Sequence, residues 1–213
     1  IGDVYRIQSN YKAALVAYNR AASIYARIGD EWNESTTQQR IGRVYAEQQG
    51  QYEKALRIYQ EVLKTRQNLG DRAGEASIYN QIGDTYFNRG RYTEARSFYE
   101  KSFRLYQVLN DLPNQASLLS TLAGVNLEQG QFVQSLERYQ QSLSLRQKMG
   151  DRDGQASIFR RLGGVYSRRG LYPDALRFYQ RSRQLFATAG SRSGEAGVWS
   201  DMGSVYRYQG LYS

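Results

Sequence analysis

Between Gly150 and Gln180 the chain reads GDRDGQASIFRRLGGVYSRRGLYPDALRFYQ, and its apolar positions keep a helical rhythm. Ile158, Phe159, Leu162, Val165 and Tyr166 fall at i, i+1, i+4, i+7 and i+8, which is one stripe of an amphipathic α-helix. Gly170 stops that helix. Pro173 then suits the first turn of a second helix, where its missing N–H costs nothing, and Ala175, Leu176, Tyr179 and Ser182 continue the spacing. The pattern predicts two helices joined by a tight turn.

The same pattern recurs along the whole chain with a period of 40 residues. Gly50, Gly90, Gly130, Gly170 and Gly210 hold the register, each followed two residues later by Tyr52, Tyr92, Phe132, Tyr172 or Tyr212. One extra residue interrupts it between Ala46 and Gln49, and a longer turn before Gly50 is the expected way of absorbing it. A small residue recurs at Ala14, Ala55, Ala95, Ser135 and Ala175, which lets two helices approach closely. Gly29–Asp30, Gly70–Asp71 and Gly150–Asp151 read as a helix C-cap followed by an N-cap. Units are thus expected to start near residues 1, 31, 72, 112, 152 and 192, giving one array over 1–213 of about five helix pairs and a truncated sixth.

Composition narrows the chemistry. Neither cysteine nor histidine occurs, so disulfides, Cys/His zinc sites, thiol nucleophiles and Ser-His-Asp triads are excluded. No cofactor is expected, and no small-molecule substrate. No apolar run approaches the ~18 residues of a membrane span, and the opening segment lacks a signal-peptide pattern. Localisation stays open, with the cytoplasm as the expected compartment. The acidic segment DRDG at Asp151–Gly154 superficially resembles the start of a calcium loop, but the further oxygen ligands and the closing Glu are missing, so a helix cap is expected instead.

The pattern L-G-x-x-Y-x-x-x-G-x-Y-x-x-A-L-x-x-Y resembles the tetratricopeptide (TPR) repeat over essentially the whole chain. Tyr79, Phe159 and Trp199 occupy its early aromatic position. Gly42, Gly83, Gly163 and Gly203 match its close-packing glycine, and Tyr45, Tyr86, Tyr166 and Tyr206 the aromatic three residues on. The unit is longer than the usual 34 residues and has a Gly-Asp junction followed by GEA or GQA, as in the LGN/Pins type of scaffold and many bacterial arrays. The resemblance implies an all-α solenoid, a right-handed superhelix of antiparallel helix pairs whose first helices line a concave groove for a partner's peptide or helix.

Periodicity and that orientation together outline the groove. Opposite the apolar stripe of the quoted first helix stand Ser157, Arg160, Arg161, Gly164 and Arg168. Earlier units offer Gln39, Arg40, Arg43 and Glu47, then Asn80, Gln81, Asp84 and Asn88; the last offers Asp201, Arg207 and Tyr208. The groove is expected to be polar toward the amino end and basic toward the carboxyl end. For Arg160, Arg161 and Arg168 three readings compete: a solvated helix face, an acidic protein partner gripped by guanidinium forks, and nucleic acid.

The 19 tyrosines would suit base stacking, but most fall in three architectural columns, including Tyr18, Tyr59, Tyr99, Tyr139 and Tyr179, where they pack. The formal charge of +9 is spread over both halves of the chain. The groove also lacks the lysines with which one subclass of the family grips chaperone C-termini. A non-catalytic protein-interaction array is therefore the favoured reading and a nucleic-acid-binding helical repeat the alternative; steep loss of affinity with salt would mark the latter. Since IGDVY enters partway through a helix and GLYS stops where one should begin, the apolar ends are expected to associate end to end.

Overall fold

The computed structural model describes residues 1–48 and 50–210. Gln49 of the extra-residue segment and Tyr212 of the aromatic column lie outside the described residues. The chain divides into two compact units, Ile1–Asn110 and Asp111–Ser213. Among the described residues every regular element is an α-helix.

The first unit holds α1 (Gly2–Ile7), α2 (Tyr11–Ile28), α3 (Glu31–Glu47), α4 (Tyr52–Asn68), α5 (Arg72–Asn88) and α6 (Tyr92–Val108). The second holds α7 (Leu112–Glu128), α8 (Phe132–Lys148), α9 (Arg152–Arg168), α10 (Tyr172–Thr188) and α11 (Arg192–Tyr208). Odd-numbered helices are the first members of the pairs and even-numbered helices the second. Each helix packs chiefly on its sequence neighbours within its unit.

Local chemistry sets the boundaries. Asp30, Asp71, Asp111 and Asp151 each accept a hydrogen bond from the backbone N–H three residues on, which caps α3, α5, α7 and α9. Asp151, the acidic residue of DRDG, takes the Gly154 N–H at 2.8 Å and so does a cap's work. Gly29 ends α2 in the left-handed region, at φ 72°, which a Cβ would strain. Helix α3 has the same 17 residues as α5, and Gln48 after it is extended.

The core is a repeated lock between a tyrosine and a glycine. A Cβ on Gly42, Gly83 or Gly163 would come within 2.6 Å of the ring of Tyr59, Tyr99 or Tyr179, so only glycine lets the second helix seat its ring there. Beside these locks, Ser102, Ser142 and Ser182 donate to the carbonyls of Ala76, Ala116 and Ala156 at 2.7 Å, satisfying buried hydroxyls on the partner helix. Phe98 stacks on Tyr86 at 5.5 Å and Phe178 on Tyr166 at 5.1 Å. No helix among the described residues is long and apolar enough to cross a membrane.

A second lock joins successive pairs. Arg66, with its side chain 3% exposed, ion-pairs with Asp71 at 2.8 Å and lies 5.0 Å from the Trp32 ring centre. Arg146 and Asp151 repeat the pairing at 2.5 Å. A Cβ on Gly74 or Gly154 would strike the capping carboxylate of Asp71 or Asp151 as well as these arginine side chains, and one on Gly194 would strike Phe186. That explains the glycine of the GEA and GQA segments: it makes room for a bulky residue from the preceding helix.

Candidate functional site

In the first unit the polar faces of α3 and α5 bound a cavity of about 460 Å³. Arg43, Asn80, Gln81 and Asp84 line it, and Tyr59 rises into it from α4. With Glu47 and Asn88, which also line it, six of the residues expected in the groove are therefore brought together. Arg40 lies on the neighbouring side of α3, where a smaller hollow of about 250 Å³ joins it to Asp3 and Arg6.

The charges around these two hollows are largely paired within the protein. Arg40 binds Asp3 at 2.6 Å, Arg6 binds Glu47 at 2.7 Å, and Arg43 reaches the same Glu47 at 3.1 Å. Asp84 accepts the Tyr99 hydroxyl at 2.7 Å, as Asp3 accepts that of Tyr18. Desolvation by the surrounding helix faces holds Asp84 above the ordinary carboxylate value, outweighing the Tyr99 hydrogen bond and the nearby Arg43 charge. The side-chain oxygen of Gln81 is buried with no donor. This cavity therefore offers an acceptor without a partner and a carboxylate that would gain from a donor.

In the second unit α9 contributes Arg160, Arg161 and Arg168 to a cavity of about 410 Å³, floored by Tyr139 of α8 and Tyr179 of α10. The three arginines do share one face, but two of them are engaged. Arg160 grips Asp201 of α11 through two nitrogens, at 2.5 and 3.3 Å, and Arg168 holds Glu128 of α7 at 2.8 Å. Arg161 has no ion-pair partner among the described residues, and its charge acts on the Tyr139 hydroxyl. The basic character expected here thus narrows to one arginine.

Arg207 and Tyr208 sit at the end of α11 and do not line that cavity. The Tyr208 ring stacks on Tyr172 at 6.4 Å, with Arg207 5.6 Å from its centre. What the sequence reading missed was the role of the second-helix tyrosines as the floor of both cavities. The signal was present in the strict recurrence of the column Tyr18, Tyr59, Tyr99, Tyr139 and Tyr179, whose hydroxyls need polar partners when buried.

Comparison with known proteins bears on this geometry. The model of the tetratricopeptide repeat family matches residues 1–68 and 74–148. Curated protein sequences yield no match. Among solved structures, BtubC (BKLC) from P. vanneervenii is similar with a TM-score of 0.72 at 16% identity, over 95% of this chain and 93% of that one. A kinesin light chain-like protein from Podosopora anserina with nearly identical TPR-like repeats gives 0.72 at 16% identity, over 89% and 92%. A Rap protein complexed with Competence and Sporulation Factor gives 0.68 at 14%, over 98% of this chain and 62% of that one.

Proposed function

Because the chain belongs to the tetratricopeptide repeat family, we infer that it is a non-catalytic interaction module that holds a segment of a protein partner against the first-helix faces of its pairs. One observation carries the reading: in both units the polar faces of the first helices border open cavities rather than packing against protein, although the opposite stripe of each is buried. The Rap structure, which holds a bound factor, lends the reading support from a protein of similar fold.

The two cavities suit different partner groups. Gln81 and Asp84 favour donors such as main-chain N–H groups, while Arg161 favours an acidic side chain. Nucleic acid fits less well, since Arg40, Arg160 and Arg168 already hold carboxylates and few unpaired cations remain on these first-helix faces for a phosphate backbone.

The test is a footprint. Peptides selected from a random display library for binding to the whole chain are mapped by backbone amide protection. Protection on α3, α5, α7 and α9 is expected. Protection confined to α4, α6, α8 and α10 would overturn the reading. The control substitution is Arg177→Glu on α10, whose side chain is 81% exposed and which should leave affinity unchanged.

A further inference from the structure

Aligning the pairs on their tyrosine column reveals a difference between the two units. The first-helix position beside each tyrosine hydroxyl is Asp3, Arg43 and Asp84 in the first unit but Gly124 and Gly164 in the second. Asp3 and Asp84 accept the hydroxyls of Tyr18 and Tyr99. At Gly124 and Gly164 no such acceptor exists. The Tyr139 hydroxyl has no hydrogen-bond acceptor among the described residues, and the charge of the nearby Arg161 guanidinium favours its ionised form against the larger effect of burial. Tyr179 has no hydrogen-bond acceptor among the described residues, although the residue is only 4% exposed. Tyr139 is 2% exposed.

Packing does not account for these glycines. A Cβ on Gly124 would lie 3.9 Å from the Tyr139 hydroxyl, and one on Gly164 3.8 Å from that of Tyr179, which are ordinary contact distances. Glycine inside a helix is also unfavourable relative to alanine. Its effect here is to leave both phenol groups uncovered at the floor of the 410 Å³ cavity.

We propose that the second unit carries a carboxylate-binding site built from the Tyr139 and Tyr179 hydroxyls and the Arg161 guanidinium, with Gly124 and Gly164 keeping it open, and that an acidic side chain of the partner fills it. The proposal rests on the interaction reading above and gives it a specific seat. The unused groups of the site are rich in donors: two phenol O–H groups, uncharged because burial raises both phenols, Tyr179 to about 12, the Arg161 guanidinium and the Ser157 hydroxyl. An ammonium or an amide N–H would find only hydroxyl oxygens and the outer lone pairs of carboxylates whose charge Arg160 and Arg168 already offset. A carboxylate supplies what Asp84 supplies to Tyr99, but from the partner.

The experiment uses the whole chain with ¹³C-labelled tyrosine rings and two blocked tripeptides, acetyl-Ala-Glu-Ala-amide and its Gln counterpart, followed by NMR. The Glu peptide should shift the Tyr139 and Tyr179 resonances saturably. The Gln peptide should not, and Tyr99, already bonded to Asp84, should stay in place. Gly164→Asp, which fits sterically and recreates the first unit's arrangement, should weaken Glu-peptide binding at least ~10-fold. Tyr179→Phe, which removes the donor without adding charge, should weaken it in the same direction and serves if the aspartate variant fails to fold. Equal response to both peptides, absence of any saturable shift, or indifference to both variants would overturn the proposal. A selected peptide that protects α9 while leaving Tyr139 and Tyr179 unmoved would overturn this site and leave the interaction reading intact.

Discussion

Two adjacent glycines on α9 should respond in opposite directions to the same substitution. At Gly163 a methyl group would stand 2.6 Å from a carbon of the Tyr179 ring, closer than real Cβ contacts come, and the ring is clamped in the core. Either the ring or the helix must move, and overpacking of this kind costs about 1–3 kcal/mol. Replacing a mid-helix glycine by alanine recovers about 0.5–1 kcal/mol, so Gly163→Ala should be destabilising by a net ~0–2.5 kcal/mol, centred above 1. At Gly164 the nearest atom, the Tyr179 hydroxyl oxygen, is 3.8 Å away, so no clash opposes the gain. Gly164→Ala should therefore be stabilising by about 0.5–1 kcal/mol. For a chain of this size each kcal/mol moves the melting temperature by roughly 2–4 °C, which separates the two variants clearly in a calorimetric scan. Shifts of the same sign would show that the Tyr–Gly lock does not govern local stability as argued.

Removing a cap should cost more where the cap also holds an arginine. Asp111→Ala loses a cap and should cost about 1 kcal/mol, whereas Asp71→Ala also strands the buried Arg66 and should cost at least about 3, measured by urea denaturation; equal losses would refute the pairing argument. Buried tyrosines should make the fold sensitive to alkali. Burial raises Tyr18, Tyr59, Tyr99, Tyr139 and Tyr179, two of them to about 12, so the stability they contribute is complete below pH 10 and lost as pH climbs through the raised values. Helical circular dichroism should collapse between pH 10 and 12 together with a second step of tyrosinate absorbance; a single absorbance step near pH 10 with intact helices would contradict it.

The helix pairs, their turns and the faces they present could be read from the sequence because each rests on local chemistry. Gly170, Asp151 and the stripe through Ile158 and Val165 act within one or two turns of their own positions. The pairing of Arg160 with Asp201 and of Arg168 with Glu128 could not be read that way. It depends on how one first helix is rotated and shifted against the next, a relation that a one-helix projection leaves undetermined, so paired and unpaired arginines looked alike. Arg66 was hidden for a similar reason. Near the end of α4 a basic residue reads as a favourable partner for the helix dipole, and only the following pair, folding back with Asp71 and Trp32, shows that it is enclosed. Gly164 was correctly placed on the open face, but its meaning required knowing which ring stood beneath it.

The lock between Arg66 and Asp71 also bears on how such chains can be duplicated, shortened or recombined. A crossover at the Gly70 turn would separate Arg66 from both Asp71 and the glycine at 74 that makes room for it. If the incoming segment carried Asn114's residue type at the Gly74 position, the arginine would meet a side chain where it needs none. Crossovers at the Gly50 and Gly90 turns instead carry α4 and α5 together and keep the trio intact. The unit that keeps the Arg66 junction is thus offset by one helix from the unit that the repeat pattern suggests, running from the second helix of one pair through the first helix of the next, and its seams must instead match the Tyr–Gly lock that Gly42 makes with Tyr59. Engineered arrays assembled from cassettes cut in that frame should retain their arginine junctions, while cassettes cut at the Gly-Asp turns would need their bulky residues and glycines matched anew at each seam.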